Sequence, residues 1–159
     1  MQSAHDYGFI LDATPNDFVS GELESAIVRC DRELVPQLIL IEGQSALRNP
    51  SGPCGAEFLS SAQAKGVILQ HAPAREFYKT TDRPWPMADI ADDIKIIQLY
   101  GSEVLAVTIN AEGIAVEDQE GVRAQLEQRL GLPVFLPLEQ GVSNILPLLR
   151  DFVAREAQP

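Results

Sequence analysis

Apolar residues along the chain fall into two patterns. Some form short unbroken runs, and others recur every three or four positions between charged residues. Unbroken runs occur at Leu38 to Ile41, at Val67 to Leu69, in "EVLAVTIN" ending at Asn110 and in "LPVFLP", with a shorter one at Phe9 to Leu11. Each predicts a strand, Phe9 to Leu11 only a short strand or a strand end, and the lack of alternation predicts burial on both faces. The second pattern predicts helices. In "SGELESAIVRCDREL", Leu23, Ala26, Ile27 and Cys30 share a face, Ser20 can cap the start, and Glu22 and Glu24 suit the first turn. Pro36 is the expected stop. A short helix is expected from Ala56 to Ala64. "MADIADDIKIIQLYG" turns Ile90, Ile94 and Ile97 inward and leaves Gly101 just past its end. "VEDQEGVRAQLEQRLG" predicts a helix ending at Gly131, and "SNILPLLRDFVAREAQ" a closing one. "RNPSGPCGAEF" and "APAREFYKTTDRPWP" are dense in turn-forming residues and read as loops.

Strands alternating with helices imply crossover units. The expected fold is therefore α/β: three layers, with a mainly parallel sheet between helices, in a single domain over residues 1–159. Ligands of such sheets bind outside the carboxyl ends of the strands. Glu42, His71 and Asn110 each follow a predicted strand, which makes them the first candidates. Glu42 with Gly43 behind it is the layout of a carboxylate holding Mg²⁺ or its water shell; the plain alternative is a solvated strand end. His71 can serve as a general base, or bind an anion together with Arg75; a loop histidine bonded to backbone is equally consistent. Asn110 offers donors and an acceptor to a polar ligand, or it forms a turn. Asp17, near a helix start, reads as a substrate contact or as a dipole partner. The acidic "ADIADD" reads as a solvated helix face.

Charge narrows the partners. The chain has 12 Lys and Arg against 23 Asp and Glu, a formal net charge of -11. Such a surface repels nucleic acid and anionic lipid, so neither is expected as a partner, and an anionic ligand needs a local cation. The two cysteines, Cys30 and Cys54, are too few for a disulfide framework, and no basic leader or long apolar run is visible. A cytoplasmic protein is the expectation. The sequence contains no GxxxxGK[ST], no GxGxxG, no GxSxG and no zinc-type His/Cys spacing.

Four blocks, "GFILDATPNDFVSGELE", "LILIEGQSALRNPSG", "GVILQHAPAR" and "VLAVTINAEGI", occur in this order. In series they resemble the carboxyl-terminal part of a bacterial and archaeal P-loop family that includes D-glutamate N-acetyltransferase. The resemblance runs from about Gly8 to Phe152. It implies a P-loop-NTPase-like sheet and acetyl transfer from acetyl-CoA to an acidic amino acid. It implies catalytic roles for Glu42 and His71, with Glu42 also at a metal. Substrate contacts are implied at Asp17, Gly43, Gln44, Arg75 and Asn110. ATP with Mg²⁺ is the other cofactor that the family layout suggests. Two departures accompany the match. The family's amino-terminal domain and P-loop have no counterpart, which implies that Met1 is an internal start and that the domain is incomplete on that side. The loop after Glu42 reads Ser45, Ala46, Leu47, Arg48 and Asn49, with Asn49 where the family has histidine. The chain alone is accordingly expected to be catalytically silent. An unmatched sheet edge or core face would favour a homo-oligomer. Two readings stand beside acyl transfer: a Mg-dependent nucleotide-binding or ATP-hydrolysing domain, and a non-catalytic oligomerisation module.

Overall fold

A computed structural model of the chain describes residues 7–43, 45–52, 54–78 and 84–158. Its centre is a three-stranded sheet in the order β1 (Gly66–His71), β2 (Glu103–Ile109), β3 (Val134–Phe135), with both neighbouring pairs parallel. Helices α3 (Ile90–Leu99) and α4 (Gln119–Leu130) form the crossovers between consecutive strands. Before the sheet lie α1 (Asn16–Leu34) and α2 (Ala56–Ser60); after it come α5 (Pro137–Gln140) and α6 (Leu146–Glu156). The expected α/β architecture with a parallel sheet and flanking helices is present.

β2 is the central strand, and every residue from Val104 to Ile109 is buried. Its unbroken apolar run is the composition that burial on both faces requires. The pairing with β1 slips by one residue: Val67 sits opposite Val104, but Ile68 sits opposite Ala106. The extra residue is a bulge, which shifts the side-chain alternation. Val104, Val107 and Ile109 thereby join one cluster with Ile90, Ile94 and Ile97 of α3, although their spacing is not a simple alternation. On α6, Phe152 packs closely over Gly66: a Cβ added there would meet Leu105 at 2.8 Å and Phe152 at 2.9 Å. The buried Ser102 hydroxyl donates to the Ala64 carbonyl at 2.7 Å, which satisfies it without water.

Two strand expectations fail. Phe9 to Leu11 leads into a 3-10 turn, Leu11–Ala13, instead of pairing. Leu38 to Ile41 has no regular secondary structure and joins no strand among the described residues. Leu40 is 73% exposed, and Leu38 and Ile41 are each 37% exposed. An apolar run forms a strand only where another strand takes up its N–H and C=O groups, and no described strand lies beside this one. Among the described residues Glu42 therefore does not end a sheet strand. The expected short helix from Ala56 to Ala64 closes after five residues. α1 begins ahead of Ser20, with Pro15 at its N-cap, so Ser20 does not cap it; its hydroxyl instead meets that of Ser61 at 2.9 Å. Val35, in the left-handed region at φ 46, ends the helix one residue before Pro36.

The contrast between the central strand and the exposed run is testable by chemical denaturation. Val107→Ala, in the fully buried strand, is expected to cost about 2–4 kcal/mol. Leu40→Lys is expected to change stability by less than about 0.5 kcal/mol, as surface substitutions do.

Candidate functional site

The parallel sheet brings His71 and Asn110 together at its carboxyl edge. His71 is the last residue of β1, and its carbonyl accepts the Asn110 amide N–H at 2.7 Å, just past the end of β2. The two chains then separate into loops that an ion pair ties together. The Asn110 side-chain oxygen accepts the Glu112 amide N–H at 3.0 Å, an Asx turn. Glu112 in turn receives Arg75 from the β1 loop at 2.5 Å. Asn110 thus shapes a turn, and through that turn places the carboxylate that holds Arg75.

Beside this edge lies an open cleft of about 280 Å³. His71, Arg75 and Glu76 line it from the β1 loop, Met87, Asp89 and Ile90 from the start of α3, and Arg129 from the last turn of α4. Asp89 has two roles. One oxygen caps α3 by accepting the Ala91 N–H at 2.8 Å, and the other accepts from the guanidinium of Arg129. These two bonds, the Ala91 amide first, hold the Asp89 carboxyl below its ordinary pKa. Burial pushes the His71 imidazole below its ordinary value, opposed by the negative charges of Asp93 and Asp89 and reinforced by Arg129. Near neutrality His71 is therefore a free base facing a cleft that contains two guanidiniums.

The loop after Glu42 reaches this region from the other side. Arg48 pairs with Asp93 at 2.6 Å and donates to the Asp89 carbonyl at 2.9 Å, which fastens the loop to the first turn of α3. Asn49 bonds the Ser45 hydroxyl at 3.0 Å and accepts the Ser51 N–H at 3.1 Å, so it closes the loop on itself.

Of the residues expected from sequence, His71 and Arg75 line the cleft and Asn110 abuts it. Asp17 is exposed on the first turn of α1 and does not line it. Glu42 and Gly43 are exposed on the irregular segment after Pro36 and do not line it either. A Cβ on Gly43 would meet the Phe58 ring at 2.7 Å, so the glycine permits a close aromatic approach. Gln44 lies outside the described residues. Among the described residues, no group of three or more His, Cys, Asp or Glu side chains is gathered where a metal could sit. Sequence reading missed Asp89 and Arg129. Asp89 and Asp93 belong to the "ADIADD" stretch expected to be a solvated face, yet each holds an arginine. The signal for Asp89 was its position just ahead of a helical apolar pattern, where an N-cap belongs. No local signal marks Arg129. Among the described residues no helix is long and apolar enough to cross a membrane.

Residues 1–146 match a family described as a domain of unknown function, DUF1611, P-loop domain. A D-glutamate N-acetyltransferase from Pseudoalteromonas is 25% identical over 145 residues, covering 87% of this chain and 43% of that protein. The crystal structure of a DUF1611 family protein from Anabaena variabilis superposes with a TM-score of 0.77 at 20% identity, covering 93% of this chain and 43% of that one. The chain therefore spans less than half the length of both relatives, and the second likeness is one of fold.

The electrostatics of His71 can be read by NMR titration of its ring. The midpoint is expected below about 6.5. Arg129→Gln is expected to raise it by removing a positive neighbour, and Asp93→Asn to lower it further. Because the folded pKa is depressed, the His71 contribution to stability is present above the unfolded value and is lost as pH falls through that value toward the folded one. A midpoint above that of an unstructured histidine contradicts this account.

Proposed function

The chain belongs to the DUF1611 family through its P-loop domain, and from that membership we propose that it is the P-loop-type domain of an N-acyltransferase acting on an acidic amino acid, with the His71 cleft as the substrate site. The observation that carries the reading is the half-buried imidazole of His71 at the carboxyl edge of a parallel sheet, biased toward its neutral form and set beside guanidiniums. The curated relative named as a D-glutamate N-acetyltransferase supports the acetyl group transferred and the acceptor class.

The chemistry needs little beyond placement and one base. His71 takes a proton from the substrate ammonium. The freed amine attacks the thioester carbonyl of acetyl-CoA, the carbon–sulfur bond breaks, the departing thiolate takes the proton from the imidazolium, and the new amide nitrogen sheds its second proton to solvent. A base that titrates somewhat below neutrality is free at physiological pH, though it is a weaker base than an ordinary histidine. Arg75 provides a carboxylate contact with the planar fork that suits it. The cleft lies at the small end of the range for ligand pockets, about 300–1,000 Å³, which favours an amino acid over a nucleotide. The sequence also lacks a phosphate-cradling GxxxxGK[ST] loop, so the nucleotide reading draws on the family's P-loop rather than on residues of this chain.

The complete gene product, given acetyl-CoA and D-glutamate, is expected to release thiol. His71→Gln is expected to lower kcat by about 10²–10⁴-fold, the usual contribution of a positioned base. No thiol release with any acidic amino acid, or an unchanged kcat in the variant, would overturn the reading.

A further inference from the structure

The charges lining the cleft come in both signs. Arg75 and Arg129 are positive, Glu76 and Asp89 negative, and His71 is neutral at physiological pH. The lining is thus electrically balanced, within a chain whose formal charge is -11. A multiply charged anion gains little from such a lining and is repelled by the chain around it. A ligand that carries both signs matches it.

Asp89 and Arg129 already display the pairing such a ligand would copy. Their side chains are 47% and 53% exposed and are joined to each other. A half-exposed pair of this kind contributes little on its own, so separating it is cheap. The Asp89 oxygen that caps α3 on the Ala91 N–H is not the one that Arg129 uses. The pair can therefore open without loosening the helix start.

We propose that a free α-amino acid inserts between Asp89 and Arg129, its ammonium on the outer oxygen of Asp89 and its α-carboxylate on the Arg129 guanidinium. One charge-assisted hydrogen bond is replaced by two, and the balance of charge in the cleft is kept. No covalent bond changes. This deepens the acyltransferase reading and rests on it, because it takes the His71 cleft to be the substrate site. Arg129 and Asp89 become the residues that select an amino acid over a simple dicarboxylate. Arg75, paired with Glu112, exchanges that exposed partner for the side-chain carboxylate of an acidic substrate.

The test is calorimetric titration of the 159-residue chain with D-glutamate and with glutarate, which has the two carboxylates but no ammonium. The chain is expected to bind D-glutamate about tenfold more tightly than glutarate, the ratio one charged hydrogen bond supports. Asp89→Asn keeps the capping oxygen, so the helix start survives; it is expected to abolish that preference by weakening D-glutamate alone. Arg129→Gln is expected to weaken both ligands about tenfold. Thermal melts of both variants within a few degrees of the parent show that the fold is kept, and Arg129→Gln tests the inference by itself if Asp89→Asn fails to fold. Equal affinity for the two ligands, equal weakening of both by Asp89→Asn, no effect of Arg129→Gln or no saturable binding of D-glutamate overturns the inference. Binding with this pattern but no thiol release would leave it standing and remove the acyl-transfer reaction. Thiol release with an unchanged D-glutamate affinity in Asp89→Asn would do the reverse.

Discussion

The site depends on the parallel pairing of β1 with β2, carried to the last residue of each strand. Backbone hydrogen bonds run from Gly66 opposite Glu103 to His71 opposite Ile109, with one slip in between. That slip lets Val104, Val107 and Ile109 share the α3 side of the sheet, and the isoleucines of α3 fill it. Burying that face positions α3, and the start of α3 supplies Asp89 and Asp93. The histidine at the strand end and the acids at the helix start are therefore neighbours because one hydrophobic contact fixes both. Removing the bulge would turn part of β2 to the opposite face and separate them.

Above that apolar base, the carboxyl edge is organised by ion pairs that each join segments distant in sequence. Arg48 to Asp93, Arg75 to Glu112 and Arg129 to Asp89 connect three loops and two helices. Pairs this exposed add little stability. Their effect is positional: the first fastens the Arg48 loop to the start of α3, and the other two hold Arg75 and Arg129 against the cleft. The neutral imidazole of His71 sits within this arrangement because burial opposes its charge more than the nearby carboxylates favour it.

Sequence patterning exposed the parts of the fold whose periodicity is long and whose contacts are local or central. β2, α3 and α4 were readable because a fully apolar strand and a three-four spacing each have one natural structural meaning. Leu38 to Ile41 misled for a related reason. An apolar run states that a segment favours burial, but it does not state what will cover it. His71 and Arg75 were legible because strand ends in a parallel sheet point one way. Asp89 and Arg129 meet across 40 positions of sequence, and no local pattern records a contact that only the packing of α4 creates.

The bond from the Asn110 amide to the His71 carbonyl, at 2.7 Å, has a dynamic consequence. It extends the ladder to the very edge of the sheet, so the backbone of His71 is released only when β1 parts from β2. Asp89 and Arg129 instead sit at helix ends, which fray in local excursions that leave the sheet intact. The two walls of the cleft therefore move on separate clocks. The base stays fixed until β1 parts from β2, while the Asp89–Arg129 pair can part and re-form many times within that interval.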